Sequence, residues 1–222
     1  MKKSLCIIFL LTVFSVGFLS AKVKLTLDIG PVYTYFGSRT AVNNGVTNTW
    51  TTHTGGLNVL FGAEFIKNFG VYGTVNFAFG NHFWSKIASK RYYEGWRTDA
   101  NLTYAIDSQF GFFYVFHPVQ KLDLTLGCGI GIGGSGRSYN TSGSAKMSIS
   151  QTNIGGGINF DASYMFTKMI GIYGGLSDTL YAPVSTKTKT KIGDSTKTKE
   201  DSSSSGKIAN SFSIKAGLQL VF

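Results

Sequence analysis

The last fifteen residues, IANSFSIKAGLQLVF from Ile208 to Phe222, limit the possible fold more than any other stretch. Counting back from the terminus in twos, Phe222, Leu220, Leu218, Ala216, Ile214 and Phe212 are apolar. The residues between them, Gln219, Gly217, Lys215, Ser213 and Ser211, are small or polar. Successive side chains of a β-strand point to opposite faces, so this segment has one greasy face and one polar face. The alternation lasts for about eleven residues, the length a tilted strand needs to cross a bilayer. Half-buried strands of soluble sheets also alternate, but their usual length is about 5–6 residues.

The same pattern recurs at 24–36, 56–66, 71–80, 99–116, 122–132, 153–166 and 170–181. Eight strands result. Long polar stretches at 38–54, 81–98, 133–147 and 182–207 alternate with short turns at 67–70, 117–121 and 167–169. Long, short, long, short is the order of an all-β, antiparallel, up-and-down transmembrane β-barrel whose termini lie on the short-turn side. An even count lets the last strand pair with the first, which leaves no unpaired edge in lipid. Aromatic residues gather at strand ends, among them Tyr33, Phe79, Phe116, Tyr164 and Phe166, as interfacial girdles require. Two irregularities are expected. Pro31 has no amide donor and implies a bulge or break, and Gly174-Gly175 would carry a bulge that moves Asp178 off the apolar face.

Ahead of the first strand, Lys2 and Lys3 precede an apolar run from Leu5 to Leu19 and the small pair Ser20-Ala21. This reads as a cleavable signal peptide over 1–21, followed by one barrel domain over 22–222. Leu19 suits a cut after Ala21 poorly, which leaves the cut open by a residue or two. With Cys6 in the signal, Cys128 stands alone and no intramolecular disulfide can form. The chain carries 21 Lys and Arg against 11 Asp and Glu, a net charge of +10. In an exported protein this balance points to anionic surface polymers, lipids or host ligands rather than to nucleic acid.

The Leu218-Gln219-Leu220-Val221-Phe222 ending resembles the C-terminal assembly signal of bacterial outer-membrane barrels. On that resemblance Phe212, Ile214, Leu218, Leu220 and Phe222 form the barrel-assembly signal. The whole pattern is similar to the small eight-stranded OmpX, OmpA-barrel and OmpW groups. The stretch 160–184, FDASYMFTKMIGIYGGLSDTLYAPV, is similar to uncharacterised treponemal outer-membrane barrels. These resemblances imply a bacterial outer-membrane location, periplasmic termini, extracellular loops, and outer-membrane lipid and the assembly machinery as partners.

No catalytic constellation emerges. Gly131, Gly133 and Gly136 fit G-x-G-x-x-G, but neither a helix pattern nor a downstream acid follows, so no dinucleotide site is read there. His53 and His82 lie near the upper rim with Ser85 and Asp99, and His117 lies in a turn, without a partner motif or metal spacing. No cofactor is expected, and the chain is read as a non-enzyme. The second long loop carries Trp84, Lys86, Lys90, Arg91, Tyr92, Tyr93, Trp96 and Arg97, a candidate adhesive surface. Arg137 and Lys146 add charge in the third loop. The fourth contains KTKTKIGDSTKTKEDSSSSGK; facing lysines would repel across a hairpin, so a solvated mobile loop is expected.

The polar faces carry Asp28, Glu64, Asp107, Asp123 and Asp161 with Lys24 and Lys215. Inside a narrow barrel such charges need partners or water. Lys215 is expected to anchor an ion pair with Asp28 or Asp107. Glycines on the same faces, including Gly62, Gly111, Gly127, Gly129, Gly155 and Gly157, would instead leave room for water or a ligand. Two functions follow: a structural or surface-interaction barrel, or a small pore or conduit for hydrophobic molecules as the OmpW likeness implies.

Overall fold

The structure, a computed structural model, describes residues 23–42, 46–88, 93–94, 102–141, 145–201 and 207–222. Side chains at 39–48, 81–94, 139, 141, 201 and 207 are outside the description. Among the described residues ten strands run in order: β1 (Lys24–Val42), β2 (Val46–Ile66), β3 (Phe69–Ala88), β4 (Tyr93–Glu94), β5 (Leu102–Val119), β6 (Leu122–Thr141), β7 (Ala145–Met165), β8 (Ile170–Ile192), β9 (Ser195–Asp201) and β10 (Lys207–Val221). Eight of them form a closed antiparallel ring, β1-β2-β3-β5-β6-β7-β8-β10. The ring closes where β10 pairs with β1, from Thr26↔Val221 to Thr40↔Lys207. Phe222 completes the seam: its amide donates to the Leu25 carbonyl at 2.9 Å, and its carbonyl accepts from the Leu25 amide at 3.1 Å. The short β4 pairs with β3, and β9 pairs with the far end of β8.

The period-two pattern sets the two faces. Leu57, Phe61, Phe77, Phe110, Ile130, Ile158, Leu180, Ile214 and Leu218 are all exposed on the outside. Asn58, Thr74, Asn76, Asp107, Gln109, Asn159, Thr179, Ser211 and Lys215 are buried inside. A soluble protein would bury the first set, so the exposed apolar wall is a lipid-facing one. Near the short turns, Phe69 stacks on Phe112 at 5.8 Å, Tyr114 meets Phe116 at 4.8 Å and Tyr164 meets Phe166 at 5.7 Å, forming an aromatic girdle. Cys128 lies on the lipid-facing side and is a free thiol.

The strands run further than the apolar pattern does. The stretches read as loops at 38–54 and 133–147 are largely strand: β1 and β2 stay paired up to Val42↔Val46, and β6 and β7 up to Thr141↔Ala145. Lipid sets the alternation only within the membrane, so the polar hairpins above it escape a hydrophobicity reading.

The fourth long stretch departs most from expectation. β8 continues to Ile192, turns at Gly193-Asp194 and returns as β9. Gly193 takes a φ of 58°, which the tight primed hairpin turns need and glycine adopts without strain. The register removes the repulsion that argued for a mobile loop. Lys187 faces Glu200, Lys189 faces Thr198 and Lys191 faces Thr196, while Lys197 and Lys199 face Thr190 and Thr188.

Of the two expected irregularities, the one at Pro31 is present and the one at Gly174-Gly175 is not. At Gly30-Pro31 pairing with β10 stops and resumes in the same register, from Ile29↔Leu218 to Val32↔Lys215, so this is a break without a bulge. No bulge occurs at Gly174-Gly175, where both ladders are continuous. Asp178 therefore stays on the lipid-facing side, where its carboxylate accepts a hydrogen bond from the Asn210 amide. The real shift in β8 lies higher: Asn153 pairs with Pro183 and Thr152 with Ser185, which leaves Val184 as the extra residue.

Candidate functional site

The bore is filled by three layers of inward side chains. Nearest the hairpin end, Phe36, Trp50, Ala105, Tyr181 and Ala209 pack together, and the Arg137 guanidinium lies 4.2 Å from the centre of the Trp50 ring. Arg137 is thus a buried lumen residue and not part of a surface loop.

Below it, the carboxylate of Asp107 accepts hydrogen bonds from Tyr181, from Ser211 at 3.0 Å and from Thr179 at 3.4 Å. The Gln109 amide donates to Thr179 at 2.6 Å and its carbonyl accepts from Tyr72 at 3.0 Å. β5 and β10 stand diametrically opposite in the ring, so the bond from Ser211 to Asp107 spans the full bore.

The third layer holds the buried ion pair. Lys215 Nζ lies 2.9 Å from Asp161 Oδ1 and donates to the Asn159 carbonyl at 2.7 Å. The Asn159 amide donates to the other Asp161 oxygen. The partner of Lys215 is therefore Asp161; neither Asp28 nor Asp107 forms the expected ion pair. The register explains this. Asp28 lies opposite Gln219, four residues along β10 from Lys215, and accepts its hydrogen bond from the Gln219 side chain. Beside this layer Tyr173 donates to Asn58 at 2.8 Å, and Asn58 donates to Thr74 at 2.9 Å and Asn76 at 2.7 Å.

Gly127, Gly131 and Gly133 of β6 are seats for tyrosines. A Cβ on Gly127 would come within 2.8 Å of the Tyr72 ring, and one on Gly133 within 2.7 Å of the Tyr181 hydroxyl. The space expected to hold water or a ligand is taken by the Tyr72 ring at Gly127, by the Phe113 ring at Gly62, by the Gln109 and Thr179 side chains at Gly157, and by backbone of the neighbouring strand at Gly111, Gly129 and Gly155. This also disposes of the G-x-G-x-x-G motif: all three glycines lie within β6. The tyrosines are the residues the sequence reading missed. Their signal was available, since Tyr72, Tyr173 and Tyr181 sit at polar-face parity in their strands.

At the turn end the remaining predicted charges form a mouth. Lys24 Nζ lies 3.6 Å from Asp123 and 4.0 Å from Glu64, and His117 Nδ1 lies 2.6 Å from Asp123. Of the rim histidines, His53 faces outward, hydrogen-bonded to Tyr33, with its ring edge-on to Tyr35 at 5.3 Å. That is an interfacial position. Among the described residues no group of His, Cys, Asp and Glu could hold a metal ion.

Of the surface residues expected in the second long loop, the backbones of Trp84 and Lys86 lie in β3 opposite Thr51 and Thr49, and Tyr93 lies opposite Ala88. Lys90, Arg91, Tyr92, Trp96 and Arg97, with Ser85 and Asp99 as a rim pair for His82, cannot be placed as a cluster: they rest on positions or side chains outside the description. Of the C-terminal set, Phe212, Ile214, Leu218 and Leu220 share the outward face of β10, and the exposed Phe222 follows its last residue.

A ring of eight strands with a lipid-facing apolar wall and a polar bore defines an outer-membrane-type β-barrel. The chain belongs to a family described as a domain of unknown function (DUF2715), whose model matches residues 18–222. No curated protein matches the sequence. Among solved structures it is similar to the outer-membrane protein OprG from Pseudomonas aeruginosa, with a TM-score of 0.59 and 12% identity over 91% of this chain and 97% of that one. It is also similar to a major outer-membrane protein from Thermus thermophilus, with a TM-score of 0.56 and 14% identity over 86% and 99% of the two chains. The solid-state NMR structure of the outer-membrane protein AlkL in lipid bilayers matches with a TM-score of 0.52 and 12% identity over 91% of each chain. At these identities the likeness is one of fold. The treponemal likeness of 160–184 finds no support in these matches.

Proposed function

We propose that this protein is a closed barrel of the bacterial outer membrane that works through its projecting hairpins and does not conduct through its lumen. Residues 1–21 serve as the export signal, the termini and short turns face the periplasm, and the hairpins face outward. The observation that carries this reading is the bond from Ser211 to Asp107, which joins opposite walls of the bore. An eight-stranded barrel has room for its own side chains or one small ligand, and here the side chains take that room.

The hairpin sheet of β7, β8 and β9 offers the surface. Because Val184 is an extra residue, Lys187, Lys189 and Lys191 share the outer face with Lys146, Ser148 and Ser150 of β7. Alternate residues of a strand stand roughly 6.6–6.8 Å apart, so this is a ladder of cations suited to an anionic polymer of the envelope or of a host. Lys187 is partly engaged by Glu200 at 3.3 Å.

Two measurements test the reading. In planar bilayers the refolded wild type stays silent, and a Tyr72→Ala/Asp107→Ala/Tyr181→Ala variant, which bares the glycines of β6 and removes the bond across the bore, conducts. Steady cation-selective conductance by the wild type would promote the conduit reading. A sulfated polysaccharide should bind the wild type in a salt-sensitive manner and bind a Lys146→Gln/Lys189→Gln/Lys191→Gln variant at least tenfold more weakly.

A further inference from the structure

Below the Lys215 layer the lumen ends in a small vestibule of about 40 Å³ that opens towards the short turns. Asp28, Glu64, Asp123 and Asp161 line it, with Lys24 at the mouth. Lys215 stands behind it on Asp161. Four carboxylates thus meet two ammonium groups, an excess of two negative charges in a narrow space walled by protein and lipid.

The charges are unevenly matched. Asp161 has Lys215, Glu64 and Asp123 share Lys24, and Asp123 also has His117. Asp28 is only 2% exposed, and among the described residues its Oδ1 has no hydrogen-bond partner. Among the described residues no side chain forms an ion pair with it, and its one side-chain hydrogen bond comes from the neutral Gln219. A buried carboxylate in this position needs a counter-charge.

We propose that the vestibule is a binding site for a small monovalent cation, of the sodium, potassium or ammonium class, held at Asp28 Oδ1. The size suits it: about 10–15 Å³ of such space accommodates one water-sized particle, so this vestibule takes one ion and a little of its hydration. A chelated metal does not fit, because no three acidic or histidine side chains among the described residues converge on one point. Lys24 at the mouth is engaged by Glu64 and Asp123, so the unmatched negative charge lies further in, at Asp28. The ion would act as a structural counter-charge that completes the ion-pair layer from below.

The test uses full-length protein refolded in micelles at pH 8 and constant ionic strength. The salt is sodium, potassium or N-methylglucamine chloride, the last cation being too large to enter. The thermal midpoint, read from heat-modifiable gel mobility, should be higher in sodium or potassium by about 5 °C, the size of effect that saturating ligand gives a chain of this length. Asp28→Asn should abolish the difference. Thr125→Lys, which tethers an ammonium in the vestibule wall, should do the same and carries the test if Asp28→Asn fails to refold. Lys197→Gln at the hairpin end, off the outer lysine ladder, should leave the difference intact. Equal midpoints for the wild type in all three salts would overturn the proposal, as would a sodium dependence that survives in Thr125→Lys or in a folded Asp28→Asn.

Discussion

Replacing Lys215 with methionine probes the layer on which the lumen depends. The lysine side chain is 0% exposed and that of Asp161 6%, so bulk water screens the pair little. Methionine has nearly the volume of the lysine stem, so little cavity is created. What remains is an unpaired Asp161 carboxylate beside an Asn159 carbonyl that has lost its donor. Breaking a buried pair by removing one member costs about 3–5 kcal/mol. Urea unfolding of the refolded barrel in micelles, followed by tryptophan fluorescence and gel mobility, should show a loss of that size for Lys215→Met. Replacing both partners, as in Lys215→Met/Asp161→Leu, removes the stranded charge and should recover most of the loss. A single variant within about 1 kcal/mol of wild type would show that the pair is solvated. A double variant no more stable than the single would show that the loss comes from packing. Either result would refute the reasoning. Conductance should stay low in Lys215→Met, because the bonds from Ser211 to Asp107 and from Gln109 to Thr179 still cross the bore.

Other expectations concern assembly, topology and register. Deleting Phe222 removes two backbone hydrogen bonds at the closing seam, each worth about 0.5–1.5 kcal/mol, together with an exposed terminal ring; outer-membrane fractionation and heat-modifiability should show impaired insertion, and normal insertion would count against a role for the terminal strand as an assembly signal. An epitope placed in the Gly193-Asp194 turn should be reached by antibody on intact cells, whereas epitopes at Lys67 or Lys121 should be hidden until the outer membrane is breached; the reverse pattern would invert the proposed orientation. Deleting Val184 should turn Lys187, Lys189 and Lys191 to the inner face, so an amine-reactive label that marks them in the wild type should mark them less in the deletion, and unchanged labelling would show that the bulge does not set their direction.

The outer face was legible in the sequence because lipid imposes one simple demand. Outward positions in the membrane are apolar almost throughout, Asp178 being an exception, and Phe110, Phe112, Tyr114 and Phe116 satisfy the demand without knowledge of any neighbour. The inner face answers to partners on other strands, and a single strand does not reveal them. Lys215 and the five lumen acids could be assigned to the bore by parity, yet choosing Asp161 over Asp28 needed the register between β10 and β1, where Asp28 falls opposite Gln219. The glycines of β6 show the same dependence. Taken alone, they read as free space. Only the fold shows that Tyr72 and Tyr181 reach across from β3 and β8 to lie on them.

The Lys-Thr repeat carries this furthest, since one residue decides its meaning. Up to Pro183 the inward positions of β8 are odd-numbered, as with Tyr173, Ser177, Thr179 and Tyr181. Continued without interruption, that parity would send Lys187, Lys189 and Lys191 into the mouth of the barrel, above the buried Arg137. Val184 adds one residue, and the threonines turn inward while the lysines turn outward. In the register that follows, each lysine of β8 faces threonine or glutamate on β9, so the hairpin forms where an electrostatic reading of the bare sequence opposes it. On the other side Lys191 stands directly opposite Lys146 of β7. Like charges so placed repel, and an anion laid along the outer face would relieve them. This like-charged pair thus coincides with the face proposed to meet an anionic polymer, and Lys146 and Lys191 are the two residues whose neutralisation should weaken that binding most.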